Sequence, residues 1–107
     1  MRWSYRPPAA AEVEEAAGYY EAASPGLGRR FLADLSALLR RLDRFPEQGR
    51  EVLPGVRQAR LSRFPYSLYY SLRDDDADVL AVVHFARHER VWKQRVEADL
   101  EDPSPDR

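Results

Sequence analysis

The sequence has no cysteine, one methionine and two histidines among its 107 residues. Without cysteine there is no disulfide framework and no thiolate nucleophile, and zinc would have only imidazole and carboxylate ligands to draw on. No apolar run approaches the ~18 residues that a membrane-crossing helix needs. The opening residues MRWSYRPP carry charge and lack the apolar stretch of a secretory signal. A cytoplasmic protein with no membrane contact is therefore expected. No G-x-S-x-G elbow occurs, so a hydrolase triad has no anchor. Glycine is scarce too. Gly26 and Gly28 lie in SPGLGRR at a helix start, which lacks both the preceding strand and the Lys-Ser/Thr of a phosphate loop. They are expected to ease packing at a corner between helices.

Excess charge is also missing. The 17 Lys+Arg and 18 Asp+Glu leave a net charge of −1, unlike a general nucleic-acid binder. The distribution is uneven. Residues 57–73 hold Arg57, Arg60, Arg63 and Arg73 and no acid, whereas residues 74–107 are strongly acidic. One localised basic surface is the natural reading.

What is present is enough for one domain. A chain of this length buries roughly 65% of its unfolded surface and needs no metal or disulfide staple. Residues 1–98 are expected to form that domain, and 99–107 a disordered acidic tail. Residues 2–6 alternate polar and aromatic, a strand pattern ended by Pro7-Pro8. Residues 9–23 read as a helix with Val13, Ala16, Ala17 and Tyr20 on one face. Ser24 as N-cap and Pro25 at the first position open a second helix over 25–45, striped by Phe31, Leu35, Leu38, Leu42 and Phe45 and widened by Leu32 and Leu39. The minimal connection makes these two an antiparallel hairpin. Three strand patterns follow over 56–63, 66–73 and 79–85, then a short helix over 89–98. The order β-α-α-β-β-β-α gives an α+β fold, an antiparallel four-stranded sheet packed on an α-helical hairpin. The second sheet face has only the last helix to cover it, so an open face is expected there.

Few residues carry chemistry. His84 and His88 have zinc spacing on a helix, but His84 ends a strand and no third ligand follows, so no metal site is expected. Asp74, Asp76 and Asp78 imitate a calcium loop, yet Val79 and Phe85 stand where Gly and Glu are required; a solvated turn is expected. No cofactor signature is present. The arginines are the better candidates. Guanidinium binds phosphate or carboxylate as a fork but is a poor base. Period-two geometry puts Arg57 and Arg63 on one face and Arg60 on the other, with Arg87 directly after the last strand. Trp92 pins the last helix or stacks on a base.

The texts EAAGYYEAASPGLGRRFLADL, FPEQG, PGVRQARLSRFPYSLYYSL and VLAVVHFARHERVWKQR together resemble the RelE/ParE superfamily, the toxins of type II toxin–antitoxin systems that include plasmid stabilisation proteins. The resemblance spans residues 13–95. It implies a small sheet on an α-hairpin and a cognate antitoxin that folds as it wraps the toxin in a hetero-oligomer. Leu35, Leu39 and Leu42 of the second helix, with Tyr66, Tyr69 and Tyr70, are the expected antitoxin grooves. RelE-like members cut mRNA in the ribosome; ParE-like members poison DNA gyrase. For a nuclease the candidates are Arg60, His84, Arg87 and Lys93. For target or phosphate contact they are Arg57, Arg60, Arg63, Arg87 and Trp92. Where many of the nucleases place a tyrosine, this chain has Trp92, which moves no proton. Together with the balanced charge, that favours the ParE-like branch. A non-toxic remnant that only binds its antitoxin is a third reading.

Overall fold

Pro7 and Pro8 end the first strand, β1 (Arg2–Tyr5), and begin the first helix, α1 (Pro7–Ala23). Proline at a first helical position gives up no hydrogen bond it could have made. The computed structural model describes residues 1–87 and 89–101. α1 buries Ala9 and Ala16, with Val13, Ala17 and Tyr20 beside them, the expected face begun one turn earlier. α2 (Leu27–Arg44) buries Phe31, Leu35, Leu38 and Leu42. Leu32 and Phe45 depart from the expected stripe. Both are exposed, and Phe45 lies past the helix end under the Arg44 guanidinium.

The helix junction corrects the expected cap. Ser24 closes α1, and Gly26 opens α2 with a left-handed φ of 88°. The capping oxygens come from Glu21, which accepts the Gly26 N–H at 3.0 Å and the Gly28 N–H at 3.0 Å. These backbone bonds hold the Glu21 carboxyl below its ordinary value. At Gly28 a Cβ would stand 2.6 Å from the Ala17 carbonyl oxygen, so the close helix crossing requires glycine.

The sheet has five strands in the order β1-β5-β4-β3-β2, comprising β2 (Arg50–Leu53), β3 (Val56–Arg60), β4 (Tyr66–Arg73) and β5 (Asp76–His84). Two corrections follow. β2 is a fifth strand, folded back on β3 across a turn at Gly55, whose φ is 76°. β1 pairs with β5 in parallel, so the sheet is mixed. The long connection through the helices is what permits a parallel neighbour. The strand expected over 56–63 stops at Arg60, because Asp34 on α2 accepts the Arg63 and Phe64 N–H groups at 2.8 and 3.0 Å and turns the chain.

β5 is buried on both faces, as its unbroken apolar run predicts. A register shift opposite Tyr69 and Tyr70 makes a bulge in it. The bulge sends Val79 and Val82 toward the helical hairpin, and Leu80, Ala81 and Val83 to the opposite face. There α3 (Glu89–Glu101) packs Trp92 and Val96 onto Tyr69, Leu80 and Val83. The expected open face is thus half closed, because Trp92 needs apolar surface to bury itself. α3 runs three residues beyond the expected 89–98; residues 102–107 of the expected tail lie outside the described residues.

Candidate functional site

The register builds the site. On the α3 face, Arg50, Gln58, Tyr69 and Ala81 stand in one cross-strand row, and Arg60, Ser67 and Val83 in the next. α3 covers the β5 end of both rows. The other end, on β2 and β3, is left uncovered. A cleft of about 190 Å³ remains, lined by Arg50, Gln58, Arg60, Ser67, His84 and Arg87 with the apolar Val52, Phe85 and Trp92. Among the described residues three arginines and no carboxylate line it. Arg60 lies over the exposed Phe85 ring at 4.7 Å, and Arg50 donates to the Gln58 side-chain oxygen at 3.1 Å. Gln58 in turn donates to the Tyr69 hydroxyl at 2.8 Å and to Ser67 Oγ at 3.3 Å, which fixes the floor. Guanidinium groups in such a lining have the chemistry to pair with an anion.

Its capacity for proton transfer is small. Arginine does not act as a base near neutrality. Trp92 stacks on Tyr69 with ring centroids 3.9 Å apart and is 5% exposed, so it anchors α3 and offers no face to a base. His84 is the one imidazole among the described lining groups. Its Nδ1 accepts the Ala86 N–H at 2.9 Å, which leaves Nε2 as the ring's free position.

The sequence-derived candidates divide. Arg60, His84, Arg87 and Trp92 meet at this cleft. Lys93 lies beside Trp92, 6.0 Å from its ring, and does not line the cleft. Arg57 faces the hairpin side, as alternation predicts, and donates to the Glu47 and Gly49 carbonyls at 3.1 and 2.7 Å. It braces the loop over 45–49. Arg63 lines a separate groove with Leu27, Arg30, Ala33 and Phe64 along α2. Arg50, Gln58 and Ser67 were not anticipated. Arg50 becomes visible once residues 50–53 are read as a strand returning from the Pro54-Gly55 turn, because the pairing sets it beside Gln58.

The expected antitoxin grooves need correcting. Leu35, Leu42, Tyr69 and Tyr70 are buried in the chain's own core and present no surface. Tyr70 donates to the Pro46 carbonyl at 2.6 Å and accepts the Gly49 N–H at 3.0 Å, so it too holds the loop. β4 is the central strand, paired on both sides, and cannot accept a further strand at Tyr66–Tyr70. Leu39 and Tyr66 are half-buried at its margins.

Among the described residues no three His, Asp or Glu side chains are grouped to hold a metal ion. His88 is outside the described residues. In the aspartate turn, Asp76 accepts from Arg2 at 2.9 Å and Asp78 from Arg73 at 3.0 Å, the bonding of a charged hairpin turn. Among the described residues no helix is long and apolar enough to cross a membrane.

Comparison with known proteins adds the family. The model for the ParE toxin of the type II toxin–antitoxin system parDE matches residues 4–92. Among solved structures, the chain is similar to one of the chromosomal ParDE toxin–antitoxin system from P. aeruginosa. The TM-score is 0.68 at 22% identity, over 78% of this chain and 95% of that one. No curated protein sequence matches. At that identity the structural likeness speaks for the fold. The family match covers the end of β1, both helices of the hairpin, strands β2 to β5 and the start of α3, and on it the chain is a member of the ParE toxin family of type II toxin–antitoxin systems.

Proposed function

We propose that the chain is a cytoplasmic toxin that inhibits DNA gyrase and is neutralised by a cognate antitoxin in a hetero-oligomer. The observation that carries this reading is family membership over residues 4–92. The cleft supports it. Three arginines, a glutamine and a hydroxyl can grip an anionic group of a target, and Trp92, which the superfamily resemblance sets where many of the nucleases carry a tyrosine, transfers no proton and lies buried. A poison that holds its target needs binding without cleavage.

A ribosome-dependent endoribonuclease is the second reading. One observation favours it: Arg60, His84 and Arg87 meet in one cleft. Induced expression of the chain alone should arrest growth and relax plasmid DNA, and co-expression of the neighbouring small gene should lift the arrest. Arrest with cut messages and normal supercoiling favours the nuclease. Unchanged growth at confirmed soluble expression favours a remnant that only binds its antitoxin.

A further inference from the structure

A second cleft lies on the hairpin side of β5, across the strand from Arg50 and Arg60. β1 pairs with β5 only from Asp76 to Val79, yet β5 continues to His84. From Leu80 onward the strand therefore has one edge with no neighbouring strand among the described residues, facing α1. Part of that edge is already satisfied. The Leu80 carbonyl accepts from Arg95 Nη1 at 3.0 Å, and the Val82 N–H donates to Glu12 Oε1 at 2.9 Å. In a strand the N–H and C=O of one residue point to the same side, so the Val82 carbonyl faces this edge too. Opposite it, the Tyr66 carbonyl accepts from Leu61, away from β5, so the His84 N–H likewise faces the open edge.

These two groups select an orientation. Antiparallel pairing at Val82 needs its N–H, which Glu12 holds; at His84 it needs the carbonyl, which the Arg87 N–H already uses at 3.0 Å. Parallel pairing needs only the Val82 carbonyl and the His84 N–H, which bracket one residue of an incoming chain. This is also the sense in which β1 pairs with β5. A side chain flanking the bracketed residue would enter a cleft of about 390 Å³ lined by Glu15, Tyr19, Tyr20, Tyr66 and His84. Tyr66 and Tyr20 meet edge to face at 6.1 Å and share a hydrogen bond, and Tyr19 is 69% exposed. The charge is complementary to a cation. α1 carries Glu12, Glu14, Glu15 and Glu21 and no base; Glu12 is matched by Arg95, while Glu15 is exposed at the cleft. Arg87 stands at the opposite rim, so a cation would settle on the α1 side.

We propose that the free length of β5 takes up, in parallel, an extended segment of a protein partner, whose Lys or Arg enters the cleft between Glu15 and the three tyrosines. The surface meets the arginine cleft at His84 and Arg87 but lies on the hairpin side of β5, and it does not depend on gyrase being the target. The probe is a blocked five-residue peptide, Thr-Val-Lys-Val-Thr, titrated to millimolar concentration against the ¹⁵N-labelled chain, with Glu replacing its Lys in a control peptide. The lysine peptide should shift the amides of Val82, Val83, His84, Tyr19 and Tyr20 and slow hydrogen exchange at His84. The glutamate peptide should bind at least tenfold more weakly. Glu15→Gln, an exposed change that leaves the fold intact, should weaken the lysine peptide about three- to fivefold. Equal response to both peptides, shifts centred on Arg50 and Arg60, no shift at all, or a His84 amide already protected in the free chain would each overturn the proposal.

Discussion

Arg95 Nη2 on α3 reaches both carboxylate oxygens of Glu12 on α1, at 2.9 and 3.0 Å, across the edge of β5. The same Glu12 accepts the Val82 N–H, and the same Arg95 donates to the Leu80 carbonyl. The pair thus joins helices from opposite sheet faces and occupies backbone groups of β5 beyond the end of its pairing with β1. The two side chains are 27% and 17% exposed, sheltered enough that the loss of either one leaves the other's charge poorly hydrated. Arg95→Ala or Glu12→Gln should each cost about 2 kcal/mol in chemical denaturation. A double-mutant cycle should give a coupling near 1–2 kcal/mol. Additive effects would show that the bonds are not energetically linked.

Tyr70 is the anchor of the loop that follows α2. Its hydroxyl gives one hydrogen bond to Pro46 and takes one from Gly49. Tyr70→Phe should lower stability by about 1–2 kcal/mol. It should also speed amide exchange at Gly49. A variant as stable as the parent would mean that water replaces the hydroxyl at no cost.

Burial pushes the Tyr66 phenol up to about 12, with the Tyr20 hydroxyl beside it adding to the rise. The folded state therefore holds this proton more tightly than the unfolded chain, whose tyrosines ionise near 10. The stabilisation is complete below pH ~10 and is lost as pH rises toward 12. Melting temperature should fall across that window, and Tyr66→Phe should flatten the fall. An unchanged slope would place the alkaline sensitivity at another tyrosine.

Arg60 and Arg87 line the anion-receptive cleft on its open flank, and both are exposed. Arg60→Ala and Arg87→Ala should weaken growth arrest while the melting temperature stays within about 3 °C of the parent. A larger fall would give either arginine a structural role. Arg40→Ala removes the same charge from the exposed side of α2 and should leave toxicity unchanged.

Both helices of the hairpin were legible because the spacing of Ala16, Phe31, Leu35, Leu38 and Leu42 is strictly helical. β5 was legible from its apolar run. β2 was not, because Arg50–Leu53 is short, lies at the sheet edge and has half its residues exposed; its pairing partner, not its own pattern, makes it a strand. The parallel place of β1 depends on a long-range crossover that no local pattern records. In the site, Arg60 and Arg87 could be found from strand position. Arg50, Gln58 and Ser67 could not, because only cross-strand register brings them together. The same register removed Leu35, Tyr69 and Tyr70 from any partner surface, since an apolar residue marked for a groove carries the same signal as one marked for the core.

The central claim is tested most directly by adding the purified chain to purified DNA gyrase and relaxed plasmid with ATP and following supercoiling. Inhibition, or trapped gyrase–DNA cleavage complexes, that weakens several-fold with the Arg60→Ala/Arg87→Ala double variant is the predicted result. Full supercoiling activity at toxin in large excess, alongside messages cut on isolated ribosomes, would contradict it.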